Sequence, residues 1–403
     1  MLVPKLRFKR EDGTSYPEWE EKAITDLCES IVGGGTPSTD NKAYWSGNIA
    51  WVSSSDLENN NIRHLSMTRF ITEDAINNSA AKHIPCNSIL IVSRVGVGKV
   101  AIAPCELCTS QDFTNLVNPV CNPIFLGYLL SLTMQKKANG VQGTSIKGVT
   151  AKEIKQYHLS IPHTEEQQRI ADFLSNVDEV IAQSKAEVQN LERQKKAAMQ
   201  KIFSQEVRFK REDGSNYPEW GEKVISDLGT VITGNTPPTK NKENYGGDFL
   251  WVTPTDITDY PIINDTERKL TDIGKKKARI LPKNTVLVTC IASIGKNCIL
   301  TQEGSCNQQI NAIIPKTCIN PFFLLNAINY KKHELELLGG NGGMKIVSKS
   351  LFEQFSINIP ADVEEQQKIA DFLSDYDEAI RCAKQELDKW KELKKGLLQQ
   401  MFV

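Results

Sequence analysis

Residues 165–175 read EEQQRIADFLS, and residues 364–374 read EEQQKIADFLS, 199 positions further on. From the first stretch onward, apolar or small residues, with one lysine among them, alternate at spacings of four and three: Ile170, Leu174, Val177, Ile181, Ser184, Val188, Leu191, Lys195, Ala198 and Ile202. The second stretch keeps the same phase through Ile369, Leu373, Tyr376, Ile380, Ala383, Leu387, Trp390, Lys394, Leu397 and Met401. A seam of this spacing over four to five heptads predicts a long helix that packs against another helix. Pro162 and Pro360 lie just upstream, acidic residues fill each first turn, and lysines gather at the far ends, as the helix dipole favours. Each helix should run about 38 residues, or ~57 Å.

Neither helix can leave that seam in water, so the two are expected to pair, and antiparallel, because the chain between them must return to begin the second. With ends aligned, facing positions sum to about 571. Ser184 then meets Leu387, Ala383 meets Val188, and Lys195 lies near Tyr376 with its ammonium reaching outward to water.

The repeat extends beyond the helices. Residues 7–21 read RFKREDGTSYPEWEE and residues 208–222 read RFKREDGSNYPEWGE. The second copy follows the first long helix directly and puts a boundary near Ser204. The chain is therefore a globular unit and a long helix, written twice. Tyr16, Pro17 and Trp19, like Tyr217, Pro218 and Trp220, read as an apolar anchor onto the unit or the helix base.

With 403 residues there is room for two or three cores. A composition 40% hydrophobic and 24% charged is that of an ordinary soluble protein. No apolar run is long enough for a membrane span and no signal-peptide core is visible, so a cytoplasmic protein is expected. Ten cysteines without pairing logic fit reduced thiols. A net charge of −1 means that any DNA-binding charge must be local or completed by partners.

Within each unit the landmarks come in the same order. A short amphipathic segment (23–31 and 224–232) leads to a Gly-Thr-Pro loop, GGGTPST at 33–39 and GNTPPT at 234–239. Then come IAWVSSSDL at 49–57 and FLWVTPTDI at 249–257, each a strand ending in hydroxyls and an Asp. Strands at 88–94 and 285–291 lead to Gly turns at 95–99 and 294–296, and short strands follow at 100–103 and 298–301. Helices are expected at 123–137 and 321–338, Gly-rich loops with Lys at 140–148 and 339–345, and final strands at 157–161 and 355–359. Each unit is thus α/β. Between the near-identical segments the two units differ at most positions.

No pattern of catalytic residues stands out. The run 95–99, VGVGK, lacks the hydroxyl and the spacing of a phosphate loop and reads as a hairpin turn. Cys105 and Cys108 form a lone pair without a second pair to complete a zinc site. The five histidines do not cluster. Glu-x-Lys triplets are no more than chance in a chain this charged. Asn118-Pro119, Asn122-Pro123 and Asn320-Pro321 lack the rest of an adenine-methylating turn. Binding features are richer. Thr36, Ser53, Ser54, Ser55, Arg94, Lys99, Gln111 and Lys147 in the first unit are candidate DNA contacts. So are Thr236, Thr253, Thr255, Lys275, Lys276, Lys277, Lys296, Asn307, Gln308, Gln309 and Lys345 in the second. Amides, guanidinium groups and hydroxyls of this kind pair with base edges or phosphates. The bland alternative for each is a solvated loop or face, and for Trp51 and Trp251 a place in the core.

These marks resemble the specificity (S) subunit of Type I restriction–modification enzymes. The resemblance covers the whole chain. It rests on the Gly-Thr-Pro loop, the Trp-Val strand ending in Asp, the Gly-Lys turn, the EQQ-x-I helix start after Ile-Pro, and the two-fold repeat. It implies two target recognition domains of similar plan (1–163 and 204–362), separated by two long helices (164–203 and 363–403) packed as an antiparallel coiled coil. Each domain would read one half of a split, asymmetric double-stranded DNA site. The helices would set the spacer and dock two methylation (M) subunits, and two restriction (R) subunits could join. S-adenosylmethionine would belong to the M subunits, ATP and magnesium to the R subunits, and no cofactor to this chain.

Three other readings compete. A fused nuclease or methylase would act on DNA alone with magnesium and S-adenosylmethionine. A coiled-coil scaffold without a DNA role would show no salt-dependent DNA binding with partners present. A specificity subunit serving methylation alone is the closest variant, and sequence does not separate it from a full system.

Overall fold

A computed structural model describes residues 4–140, 148–340 and 345–402. The chain divides into two compact units, Met1–Gln183 with Asp388–Val403, and Ser184–Leu387. Each long helix therefore contributes one part to each unit.

The first unit runs β1 (Glu20–Ala23), β2 (Cys28–Gly33), β3 (Ile49–Val52), β4 (Phe70–Ile71), α1 (Glu73–Asn77), β5 (Ile89–Val92), β6 (Val100–Ile102), β7 (Cys108–Thr109), β8 (Phe113–Pro119), α2 (Pro123–Gly140), α3 (Ala151–Lys155), β9 (His158–Ile161) and α4 (Thr164–Phe203), which continues into the second unit. Its main sheet has the order β2-β8-β5-β6, all antiparallel. A second sheet, β4-β3-β7, pairs β3 and β7 in parallel, and β1 pairs with β9. Helix α2 packs on one face of the main sheet through Phe125, Leu126, Leu129 and Met134. The same core takes in Ile170 and Leu174 of α4, and Met401 and Phe402 from the chain end, with Phe402 stacked on Phe125 at 5.5 Å.

The second unit repeats the plan. It comprises β10 (Gly221–Val224), α5 (Ile225–Leu228), β11 (Gly229–Thr233), β12 (Tyr245–Val252), β13 (Ile262–Ile263), β14 (Lys269–Leu270), α6 (Asp272–Lys275), β15 (Val286–Thr289), β16 (Asn297–Leu300), β17 (Gly304–Cys306), β18 (Ile310–Pro315), α7 (Pro321–Tyr330), α8 (Lys332–Leu337), α9 (Lys349–Glu353), β19 (Ser356–Ile359) and α10 (Val363–Met401). The main sheet is β11-β18-β15-β16-β13, beside β14-β12-β17 and β10-β19. The expected single helix over 321–338 is two. Lys331 closes α7, and after that break α8 seats Leu335 in the core while Leu337 faces out. The amphipathic segment at 23–31 is one helical turn followed by β2.

The repeated EEQQ stretch explains itself in contacts. Glu166 and Glu365 are fully buried, and each receives a two-pronged guanidinium, Arg7 at 3.0 and 2.8 Å and Arg208 at 3.1 and 2.9 Å. The same arginines donate to the carbonyls of Pro17 and Pro218, both at 2.6 Å, so the repeated arm closes over the helix start. A buried carboxylate is tolerated only when paired in this way. Gln167 accepts from Asn122 N at 3.0 Å and donates to Pro162 O at 2.9 Å; Gln366 makes the matching bonds to Asn320 N and Pro360 O. Asn122 and Asn320 cap α2 and α7 through their side chains. Two near-identical helix starts thus lock two different units to their helices.

Helices α4 and α10 span 40 and 39 residues. Among the seam residues Ile170, Leu174, Val177, Val188, Ile202, Ile369, Leu373, Ile380, Leu387 and Met401 are buried. Ile181, Leu191, Tyr376, Trp390 and Leu397 are half-buried. Within the second unit Glu192 pairs with Lys384 at 2.7 Å and Lys195 with Asp377 at 2.6 Å, so the helices run antiparallel there. Ser184, Leu387, Ala383 and Val188 are all buried. Lys195 departs from expectation. Its ammonium does not reach out to water but sits in a mostly buried pair, because a neighbouring helix offers a carboxylate. Among the described residues no helix is long and apolar enough to cross a membrane.

Candidate nucleic-acid interface

Strand pairing brings four loops together at one end of each unit. In the first unit Gly33 lies opposite Thr114, Val92 opposite Phe113, and Val52 beside Thr109. The loops leaving β2, β3 and β5 therefore meet the turn that enters β8. Backbone bonds tie them: Gly35 N to Thr109 O at 2.8 Å, Ser110 N to Val52 O at 2.8 Å, and Ser93 N to Asp112 O at 2.8 Å. The second unit repeats all three, with Asn235 N to Cys306 O, Asn307 N to Val252 O and Cys290 N to Gln309 O, at 2.8–2.9 Å.

Close approach dictates the glycines. A Cβ on Gly34 would stand 2.2 Å from Ser110 O, and one on Gly234 2.2 Å from Asn307 O. The indole N–H of Trp51 donates to Gly35 O at 2.9 Å and that of Trp251 to Asn235 O at 3.1 Å. Both tryptophans are buried, so they pin the Gly-Thr-Pro loop from beneath.

The hydroxyl loop is a shared design. Asp56 accepts from Ser53 N at 2.7 Å, and Asp256 from Thr253 N at 2.8 Å. Ser53 and Ser55 bond through their hydroxyls at 2.9 Å, Thr253 and Thr255 at 2.8 Å. Ser54 turns its carbonyl inward and accepts from the Lys99 ammonium at 3.0 Å; Leu57 O accepts from the same group at 2.9 Å. Lys99 thus braces one loop against another, whereas Arg94 is exposed where the turn begins. At the matching turn Lys296 is exposed, and Ala292 takes a left-handed conformation (φ 61°), held by its N–H bond to Lys345 O at 3.1 Å. Burial pushes the Cys290 thiol at the root of this turn up to about 11, so it stays protonated at neutral pH. Lys147 lies outside the described residues.

Thr36 donates its hydroxyl hydrogen to Gln111 Oε1, and Thr236 donates to Gln308 Oε1. Beside Gln308, Asn307 is buried and bonded both ways to Gln309. The basic cluster also joins this end. Asn235 donates to Lys277 O at 2.7 Å and accepts from Arg279 N at 2.8 Å. Lys275 lies over the Phe249 ring and pairs with Glu303 at 2.6 Å, Lys277 donates to Asn244 Oδ1 at 3.0 Å, and Lys276 is exposed.

Sequence reading passed over Arg69. Its guanidinium stacks 4.7 Å from the Trp51 ring, donates to Ser53 Oγ at 2.6 Å and pairs with Asp56. The pairing of β3 with β4 and of β12 with β14 places Arg268 at the equivalent position. An arginine recurring at one register of both copies was the available signal. Among the described residues no group of His, Cys, Asp and Glu could hold a metal ion. The loop cluster offers hydroxyls, amides and cations on an exposed face, the chemistry that recognises phosphates and base edges.

The family model for the type I restriction modification DNA specificity domain matches residues 16–193 and again 217–392. The chain belongs to that family and carries its domain twice. It is 33% identical over 253 residues to the type I restriction enzyme MjaIX specificity subunit of Methanocaldococcus jannaschii, a match covering 59% of this chain and 57% of that one. To the putative MjaX specificity subunit of the same organism it is 26% identical over 97% of this chain and 94% of that one. To the HindI specificity subunit of Haemophilus influenzae it is 24% identical, covering 85% and 90%. The chain spans little more than half the first of these and nearly all of the other two. The crystal structure of a type I restriction–modification S subunit from M. genitalium shares the fold, with a TM-score of 0.62 at 16% identity over 100% of this chain and 99% of that one.

Proposed function

We propose that this chain is the DNA-specificity subunit of a type I restriction–modification complex, each unit reading one half of a split, asymmetric site in double-stranded DNA. The observation that carries this reading is the loop cluster, built twice on one backbone plan with different side chains at most of its loop positions. One frame with two sets of readers suits two different short sequences. The helices set the spacer and dock two methylation subunits, which restriction subunits can join. The chain supplies recognition and no chemistry of its own. S-adenosylmethionine serves the methylation subunits, which take an adenine out of the duplex to modify it; ATP and magnesium serve the restriction subunits. The complex works in the cytoplasm.

The test is binding of the chain, assembled with its methylation subunits, to duplexes carrying a split site. The reading expects sequence-dependent affinity that falls with salt. No binding to any duplex would favour a scaffold without a DNA role, and equal affinity for every duplex would overturn the reading of a split site.

A further inference from the structure

The two units differ at most loop positions, yet one exposed device is the same in both. Gln111 and Gln308 each stand at the second position of a β-turn, closed by Phe113 N to Ser110 O and by Ile310 N to Asn307 O, both at 3.2 Å. The flanking residues brace each other across the glutamine. In the first unit Asp112 N donates to Ser110 Oγ at 3.3 Å, and Ser110 Oγ donates to Asp112 Oδ2 at 3.4 Å. In the second Asn307 Nδ2 donates to Gln309 Oε1 at 2.9 Å, and Gln309 N donates to Asn307 Oδ1 at 3.0 Å. Four different residues thus build one brace around the same outward-facing amide. In both units the half-buried threonine of the Gly-Thr-Pro loop then fixes that amide by donating to its Oε1. One acceptor position of Oε1 is taken, and among the described residues no partner takes the two N–H donors.

We infer that Gln111 and Gln308 make the contact the two units have in common, a hydrogen bond to the phosphate–sugar backbone, with Thr36 and Thr236 as positioning residues. This rests on the DNA reading proposed above. Two half-sites that differ in sequence share their backbone and the adenine pair to be methylated; that adenine is drawn out of the duplex by the methylation subunits, so a group kept the same in both readers fits the backbone acceptor present in both. An amide with free N–H donors matches phosphate oxygens. The positions that differ around it read what differs between the half-sites: Arg94 against Ile291, and Ser54 against Pro254.

The test uses the full chain with its methylation subunits, carrying Gln111→Ala, Thr36→Val or Thr36→Ser. Affinity is measured on the wild-type site, on duplexes with single changes in the first half-site, and across a salt series. Gln111→Ala should weaken binding to all of these duplexes by the same factor, about five- to tenfold for one hydrogen bond. The methylated motif should not change, and the salt slope should stay as in wild type, because no charge is lost. Thr36→Val should give a smaller loss of the same uniform kind, and Thr36→Ser should restore binding. Relaxed preference at one base of the first half-site would overturn the inference and make Gln111 a base reader. Unchanged affinity on every duplex would overturn it too, as would a loss that tracks a lowered melting temperature. Failure of the underlying reading looks different: wild type itself would show no sequence-dependent binding.

Discussion

The ammonium of Lys195 lies 2.6 Å from Asp377 Oδ1 in the second unit, and that of Lys394 lies 2.5 Å from Asp178 Oδ1 in the first. The repeat exchanges the roles, since α4 and α10 each give the lysine in one unit and the aspartate in the other. In the first unit the lysine also lies 5.0 Å from the centre of the Tyr128 ring, whose hydroxyl donates to Asp178. Such pairs fix helix register, because a slipped register strands a charge away from its partner.

Replacing one partner should therefore be costly. Lys195→Met leaves Asp377 buried and unpaired, and should destabilise the second unit by about 3–5 kcal/mol at neutral pH. The double variant Lys195→Met with Asp377→Leu should recover most of that loss. Urea unfolding of the three variants beside wild type checks it; a double variant no better than the single one would contradict the pairing.

A pH dependence follows from the same carboxyl. Burial raises the Asp377 carboxyl above its ordinary value of 3.8, more than the nearby Lys195 and Lys384 lower it. The folded unit then holds this proton more tightly than the unfolded chain. The contribution of Asp377 to stability is full below pH 3.8 and is lost as pH rises through the raised folded value. Compared with Asp377→Asn, wild type should lose relative stability on going from about pH 4 upward and then level off. A difference that grows more favourable with rising pH would reverse the sign of the argument.

The Gly-Thr-Pro loop tolerates no side chain at its first close approach. Gly34→Ala and Gly234→Ala each put a methyl 2.2 Å from a backbone carbonyl oxygen, which cannot swing aside as a side chain could. Each should destabilise its unit by about 1–3 kcal/mol or more and displace the threonine that holds the neighbouring glutamine. Gly221→Ala, with nothing within 4 Å, should stay within about 0.5 kcal/mol of wild type. Thermal unfolding separates the two classes.

Arg94 and Lys99 flank one Gly turn but should behave differently. Arg94 is exposed, and Arg94→Ala should relax the first half-site at one base, by about 1–3 kcal/mol, with stability unchanged. Lys99 is committed to two carbonyls, so Lys99→Ala should lower stability by about 1–3 kcal/mol and weaken every duplex alike. Methylation of substituted duplexes together with melting curves tells them apart; identical effects would merge the two roles.

Strong periodicity made the long helices legible to within a few residues of their ends, and the repeat made the two-unit plan legible. The strands β8 and β18 were not, although each is an interior strand of its main sheet, paired on both sides. Their alternation is masked by buried polar residues: Thr114 and Asn115 bond to Ser93 and Thr109, and Asn311 bonds to Thr233. The convergence of four loops was hidden for the same reason, since it depends on pairings such as Gly33 with Thr114 that no local pattern reports. The brace role of Lys99 was equally invisible, because a lysine beside glycines looks the same whether its ammonium meets a carbonyl or a phosphate.

The most direct test of the central claim is single-molecule methylome sequencing of a methylation-free host that expresses this chain with its methylation subunit, as wild type and as Arg94→Ala. The account predicts N6-methyladenine on both strands within one split motif, two short half-sites around a fixed gap. In the variant, only the first half-site should loosen. A motif that is unsplit, a variant that alters both halves together, or no new methylation from a complex shown to assemble would contradict it.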